Sequence, residues 1–282
     1  MQRKANFWNY FGLDPNQSAV PHRTVVTDCL ALVSWEEINH LLELLFKHVL
    51  KNKLFYNHMA TLLPDSTYHL ACDGVWFHSY EYPHAMDKEG NNICPYCLPR
   101  IHNRGQENEK TSYLHAFVNL AFILPGGLQL PIYVYALKAQ QVQGLEHASY
   151  DTLKQECELQ AIKQILPLIK KQFPRLPITL LCDSLYANEP LLKLCKGLGW
   201  EYIIVRQVGS LKKVAQQCDE LDKTEIYQKY CRTKNKIELP DKGRVEQTIK
   251  WFNKVAVGDE FVGVIRFEEI EYETSGRIAK KL

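Results

Sequence analysis

Residues 178–188 read Ile178-Thr179-Leu180-Leu181-Cys182-Asp183-Ser184-Leu185-Tyr186-Ala187-Asn188. Five β-forming or apolar residues run unbroken into an aspartate, which predicts a short buried strand over 178–182 with Asp183 at its carboxyl end. An N-cap is the plainer role for Asp183, because a helix is expected just after it. The stretch Leu70-Ala71-Cys72-Asp73-Gly74-Val75-Trp76-Phe77 holds a second aspartate inside an apolar strand that continues past it. No cap accounts for Asp73. A carboxylate in such a run is costly unless a cation, a backbone donor or an arginine pairs with it.

Around these two segments the pattern predicts strands over 68–77, 113–124 and 130–137, the last two joined through Pro125-Gly126-Gly127. A helix is expected over 150–173, with Leu153, Cys157, Ala161, Ile165, Leu168 and Ile169 as its apolar positions, stopped by Pro174-Arg175-Leu176-Pro177. A helix over 187–198 closed by Gly199 and a strand over 200–205 complete a β-β-β-α-β-α-β order. Three strands in series followed by αβ units imply an α/β fold, a mixed sheet with helices on its faces. The first and fourth strands are then neighbours near its centre.

Residues 1–65 read as a helical region: Ser34 and Glu37 form a capping-box pair, and Ile38, Leu41, Leu42, Leu45, Phe46, Val49 and Leu50 form a helix-period stripe. Pro64-Asp65-Ser66 marks the boundary to a core over 66–205. From 206 to 282 alternating runs at 261–267 and 270–272 suggest a β-rich appendage.

At 46% apolar and 23% charged residues among 282, the composition is that of a core-forming chain and excludes disorder. The most apolar stretch, 114–137, is broken by Pro125, Gln129 and Pro131, so no membrane span is expected. No apolar segment follows Met1 to Asn6, so no secretory signal is expected. Nine cysteines then read as reduced thiols of a cytoplasmic protein. Net charge is only +2, but 206–282 carries 16 basic against 13 acidic residues, and 229–254 alone carries 8 against 3. A basic segment of this kind suits an anionic polymer, and Arg206, Lys234, Lys236, Lys242 and Arg244 are the candidate phosphate contacts.

Carboxylates on adjacent strands would converge on Mg²⁺ or Mn²⁺, and a pair of such ions about 3.5–4 Å apart serves phosphodiester displacement. Asp73 and Asp183 are the candidates for that site. A further carboxylate would come from Glu156 or Glu158, which face different sides of the helix, and the sequence leaves the choice open. Cys94-Pro95-Tyr96-Cys97, with His102 and His115, offers two thiolates and two imidazoles for a structural Zn²⁺, with His84 as an alternative ligand.

The runs Leu70-Ala71-Cys72-Asp73-Gly74, Ile93-Cys94-Pro95-Tyr96-Cys97, Thr111-Ser112-Tyr113-Leu114-His115, Lys154-Gln155-Glu156-Cys157-Glu158 and Leu181-Cys182-Asp183-Ser184-Leu185-Tyr186-Ala187-Asn188 together resemble a bacterial insertion-sequence transposase of the DDE type, from about residue 21 to the C-terminus. The resemblance implies a ribonuclease-H-like catalytic core over 66–205 that cuts and joins transposon ends using two metal ions. It makes Asp73 and Asp183 the first and second catalytic carboxylates, and 206–282 the β-rich insertion that precedes the family's catalytic Glu. That Glu lies in a basic, aromatic helical context, and no such run precedes Leu282, so the chain resembles a member truncated before it. Double-stranded DNA is the implied partner, with a homodimer left open. The alternatives are a non-catalytic DNA-binding remnant and a metal-dependent nuclease of the same fold.

Overall fold

In a computed structural model of the chain, residues 33–52, 67–103, 105–124, 128–138, 150–206, 211–239 and 243–281 are described, with backbone alone at 77–78, 150–157 and 281. The first element is helix α1 (Trp35–Lys51). Ser34 caps it reciprocally with Glu37: the Glu37 N–H donates to Ser34 Oγ at 3.2 Å and the Ser34 N–H to Glu37 Oε2 at 2.7 Å. Only part of the expected stripe is covered. Phe46 is buried, stacked on Phe122 at 4.5 Å and edge-on to Phe173 at 5.1 Å, whereas Leu41 is 66% exposed.

Strands β1 (Tyr68–Tyr80), β2 (Leu98–His102), β3 (Lys110–Ile123) and β4 (Gln129–Ala136) lead through helix α2 (Tyr150–Gln172) to β5 (Ile178–Cys182), helix α3 (Glu189–Leu198) and β6 (Glu201–Ile204). They make one mixed sheet. β3 pairs antiparallel with β1, with β2 at one end and with β4 at the other; β1 pairs parallel with β5, and β5 parallel with β6. Antiparallel neighbours are joined by short connections, but parallel ones need a crossover, which α2 and α3 supply. β2 was not anticipated: the segment between the first two expected strands read as a long loop. It contains a strand because Leu98 and Ile101 extend the pairing edge of β3, with Leu98 opposite Leu114.

Even-numbered side chains of β3 from Leu114 to Phe122 are buried, and they meet Ala161, Ile162, Ile165, Leu166 and Ile169 of α2 in one hydrophobic cluster with Leu70, Cys72, Leu180 and Cys182. Leu168, expected on this face, is instead 45% exposed, while Ile162 and Leu166, four apart, take the buried row. α1 lies along the outer edge of β4, where the Asn39 carboxamide accepts from the Val134 N–H at 2.8 Å and donates to its carbonyl at 2.9 Å. This satisfies backbone groups that an open sheet edge leaves exposed.

Beyond β6 the appendage opens with two helices that the sequence reading missed, α4 (Lys212–Asp222) and α5 (Glu225–Tyr230). The polar composition of 212–222 hid a short apolar row that buries only Val214 and Cys218. Strands β7 (Arg232–Leu239), β8 (Gly243–Val257), β9 (Glu260–Tyr272) and β10 (Ile278–Lys281) then form an antiparallel sheet in the order β10-β9-β8-β7. Val214 and Cys218 pack with Phe252, Val255 and Val257 and with Leu192 of α3, so the two sheets share a small second core. At the β8–β9 turn, Gly258 has φ +59 and lies so close to the Glu189 carboxylate that a Cβ would be 1.8 Å from an oxygen.

Candidate functional site

The register of β1 and β5 decides where the two aspartates sit. Cys72 is the Cα partner of Cys182, and the parallel pairing stops there. Asp73 and Asp183 follow one residue later on neighbouring strands, which lie about 4.7–4.9 Å apart. β1 continues to Tyr80 paired with β3, and among the described residues no strand pairs with its other edge from Asp73 onward. Cross-strand partners share a face. Thr67 and Thr179 hydroxyls meet at 2.6 Å on the face of the odd-numbered residues, and Asp73 and Asp183 belong to that face. Both are exposed. Asp183 Oδ1 accepts from the Leu185 N–H at 3.0 Å and caps the 3₁₀ turn Ser184–Tyr186, so its N-cap role and its position beside Asp73 coexist. Among the described residues Asp73 makes no ion pair. A crevice at the carboxyl ends of parallel strands is where open α/β sheets receive ligands.

Glu158 takes a different place. It is buried at 1% exposure on α2 and approaches β1 from the face of the even-numbered residues. Gly74 makes the room: a Cβ there would lie 2.3 Å from Glu158 Oε1. The Tyr186 hydroxyl donates to Glu158 Oε2 at 3.2 Å. Glu158 therefore links the residue after Asp73 to the turn after Asp183, but β1 stands between it and the aspartate face. Asp73, Glu158 and Asp183 do not form a cluster with ligand atoms all within 4.8 Å of one another. Burial holds the Tyr186 hydroxyl protonated, well above its ordinary value, with the Cys72 and Glu158 groups adding to the effect. The hydrogen bond with Cys72, together with burial, does the same for the Cys182 thiol. The Glu156 side chain lies outside the described residues. Sequence reasoning missed Gly74 and Tyr186. A glycine inside a strand is itself a sign of close approach by another group, and it stood beside the aspartate already singled out.

A second constellation lies on the aspartate face, farther along β1 and β3. His84, Cys94 and His115 bring ligand atoms within 4.8 Å of one another. His115 Nε2 is 3.5 Å from Cys94 Sγ and 3.2 Å from Cys97 Sγ. The His84 N–H donates to Cys97 Sγ at 3.2 Å. Burial, and then the neighbouring His84, hold the His115 pKa below 6.5, which favours its neutral form. His102 does not join, which corrects the sequence reading. It pairs across the strands with Lys110 and so shares the face of even-numbered β3 residues, where its Nε2 meets Ser112 Oγ at 2.8 Å. One position of parity puts its ring on the wrong side of the sheet. An apolar groove lined by Trp35, Val75, Phe117 and Val134 runs along β3 from His115 to Asn119, the cross-strand partner of Asp73.

The basic candidates are scattered. Arg244 spends its charge on Glu246 at 3.1 Å and stacks on the Tyr272 ring at 4.5 Å. Lys236 lies 3.3 Å from Glu238, and exposed Lys234 makes no ion pair among the described residues. Arg206, two residues past β6, is half-buried near the Cys218 thiol. Lys242 lies outside the described residues. No helix among them is long and apolar enough to cross a membrane.

No protein-family model matches the chain, and no curated protein matches it. A solved structure, the piggyBac transposase synaptic complex with hairpin DNA, is similar over 74% of this chain and 36% of that one, at 11% identity and a TM-score of 0.30. The chain thus spans about a third of that protein's length, and a likeness of this size decides neither fold nor chemistry.

Proposed function

We propose that the chain carries the core of a metal-dependent DNA strand transferase of the DDE transposase type. The observation that carries this reading is the placement of Asp73 and Asp183 each one residue beyond the last bridge, Cys72 to Cys182, between two parallel strands. Serial strands β1, β3 and β4, followed by parallel β5 and β6, support treating the first sheet as ribonuclease-H-like. The donor set fits Mg²⁺ or Mn²⁺: two exposed carboxylates of like charge that repel unless a cation lies between them, with open sides for water.

Asp73 and Asp183 would hold the ion, and when bound it would stabilise charge on the attacking and leaving oxygens. The Asp183 side chain is oriented by the Leu185 N–H, and Asp73 by the β1–β3 ladder. In the first step a water oxygen bonds to phosphorus at a transposon end and the 3′-oxygen leaves as a hydroxyl. In the second that 3′-hydroxyl attacks a target phosphodiester and displaces its 3′-oxygen.

Calorimetric titration of the chain with Mn²⁺ tests the site. Saturable heat in the parent, lost in Asp73→Ala and Asp183→Ala, is the expected result; no heat in the parent overturns it. A second reading, a DNA-binding chain without chemistry, is favoured by one observation: Glu158 stands behind β1, away from the aspartate face. A nuclease completed by Glu158 needs the opposite. Nicking of supercoiled plasmid in Mn²⁺, abolished by Asp73→Ala, supports an enzyme. Duplex binding without nicking supports the second reading.

A further inference from the structure

The described cysteines that are buried divide into two kinds. Cys72, Cys182 and Cys195 belong to the main hydrophobic cluster and Cys218 to the second, where a thiol packs as a small apolar group. Cys94 and Cys97 are just as buried, at 9% and 0% exposure, yet belong to neither cluster. What surrounds them is polar: two imidazoles and a backbone N–H.

The local chain is shaped to bring them there. Asp87 Oδ1 accepts from the Glu89 and Asn91 N–H groups, and Gly90 takes φ +85, so the segment folds back on itself with Met86 bridged to Asn92. That hairpin returns Cys94 to the side of His84. The Cys94 N–H donates to Asn92 Oδ1 at 2.9 Å and the Cys97 N–H to the Cys94 carbonyl at 3.4 Å, which closes the Cys-x-x-Cys turn. Cys97 immediately precedes Leu98, whose partner is Leu114, so His115 is delivered across the ladder on the face of Cys97.

We propose that His84, Cys94, Cys97 and His115 form a closed, four-ligand structural zinc site, separate in place and chemistry from the aspartate pair. The spacing suits the ion: with Zn–S about 2.3 Å and Zn–N about 2.0–2.1 Å, ligand atoms of a tetrahedron stand about 3.5 Å apart. The sulfur–nitrogen separations to His115 are 3.2 and 3.5 Å. Two thiolates neutralise a divalent cation, and the His84 N–H aimed at Cys97 Sγ is the outer hydrogen bond that steadies a ligating sulfur. Thiolate and imidazole donors select Zn²⁺, whereas Mg²⁺ and Mn²⁺ prefer oxygen. The ion ties the β1–β2 connection to the middle of β3, a segment to which neither hydrophobic cluster contributes an anchor beyond Leu98. His84, Cys94 and His115 already bring ligand atoms within 4.8 Å of one another, and Cys97 Sγ stands 3.2 Å from His115 Nε2. With four protein ligands bound, no position would be left for water, and the site would hold structure.

The test uses the full chain, purified without chelator. Elemental analysis is expected to give one zinc per chain, and replacement by Co²⁺ the intense visible bands and sulfur charge transfer of tetrahedral thiolate coordination. Cys97→Ser and His115→Ala are expected to lose the metal, while His102→Ala and Asp73→Ala keep it. His84 is exposed, so His84→Ala leaves a folded chain even if the cysteine variants do not fold, and in it the Co²⁺ spectrum is expected to shift as water enters. Three results would overturn the site: a metal-free parent with both thiols reactive under native conditions, a Cys94–Cys97 disulfide in the parent, or loss of metal in His102→Ala with retention in His84→Ala.

Discussion

At Gly74 a single missing carbon decides how a buried carboxylate fits. Glu158 lies where a Cβ would come within 2.3–2.8 Å of three of its atoms, and the carboxylate cannot retreat without giving up Tyr186. Gly74→Ala is therefore expected to destabilise the fold by about 1–3 kcal/mol, the usual cost of overpacking a well-filled interior. Urea denaturation measures it, and an unchanged midpoint would mean that Glu158 moves freely. A similar single-position effect excludes His102 from the thiol cluster. Its type and spacing fit a ligand as well as those of His84, and only strand parity, which places it opposite Lys110, turns it away. The cysteine pair, by contrast, was legible from its spacing.

The elements of the first sheet were largely readable, because periodicity reports which face of a strand or helix is buried. The strict alternation of β3, buried at every second residue from Ser112 to Leu120, is written in the sequence. What the pattern hid in the appendage was α4, whose apolar row is short and which charge helps to fasten. α4 ends at Asp222, which binds Lys250 at 3.0 Å and Arg232 at 2.8 Å and thereby fastens the helix to β8 and the start of β7. Burial works to raise the Asp222 pKa, but the Lys250 hydrogen bond and the charges of Lys250, Arg232 and Arg266 outweigh it and hold the carboxyl below its usual 3.8. A depressed folded pKa contributes stability that is complete above the unfolded value and is lost as pH falls through the folded one. Acid denaturation below about pH 4 is thus expected to be shallower in Asp222→Asn, which should also lose about 1 kcal/mol at neutral pH. Parallel pH-stability curves for parent and variant would remove Asp222 from this role.

Across the molecule the basic excess of 206–282 is spent largely on internal contacts. Arg232 and Lys250 hold Asp222, Arg266 holds Asp219 at 2.8 Å, and Arg244 is engaged with Glu246 and Tyr272. A DNA-binding surface cannot be counted from sequence charge alone. If duplex DNA crosses the β7–β8 hairpin, Lys234→Ala should reduce the slope of log K against log salt by about 0.9, one released counterion. Arg244→Ala should change it less, since that charge is already neutralised. A slope unmoved by Lys234→Ala would take the hairpin out of the interface.

The sequence by itself determined that one aspartate sits inside a strand and another at a strand's end, that a Cys-x-x-Cys pair lies between the first two strands, and that the sheet is mixed; apolar periodicity and residue chemistry are local properties. Only the tertiary structure decided that Cys72 faces Cys182, which makes Asp73 and Asp183 neighbours, that Glu158 lies behind β1, and that His84 rather than His102 meets the thiols. Register and facing are set by how distant segments pack together, and a shift of one residue would reverse each of these assignments.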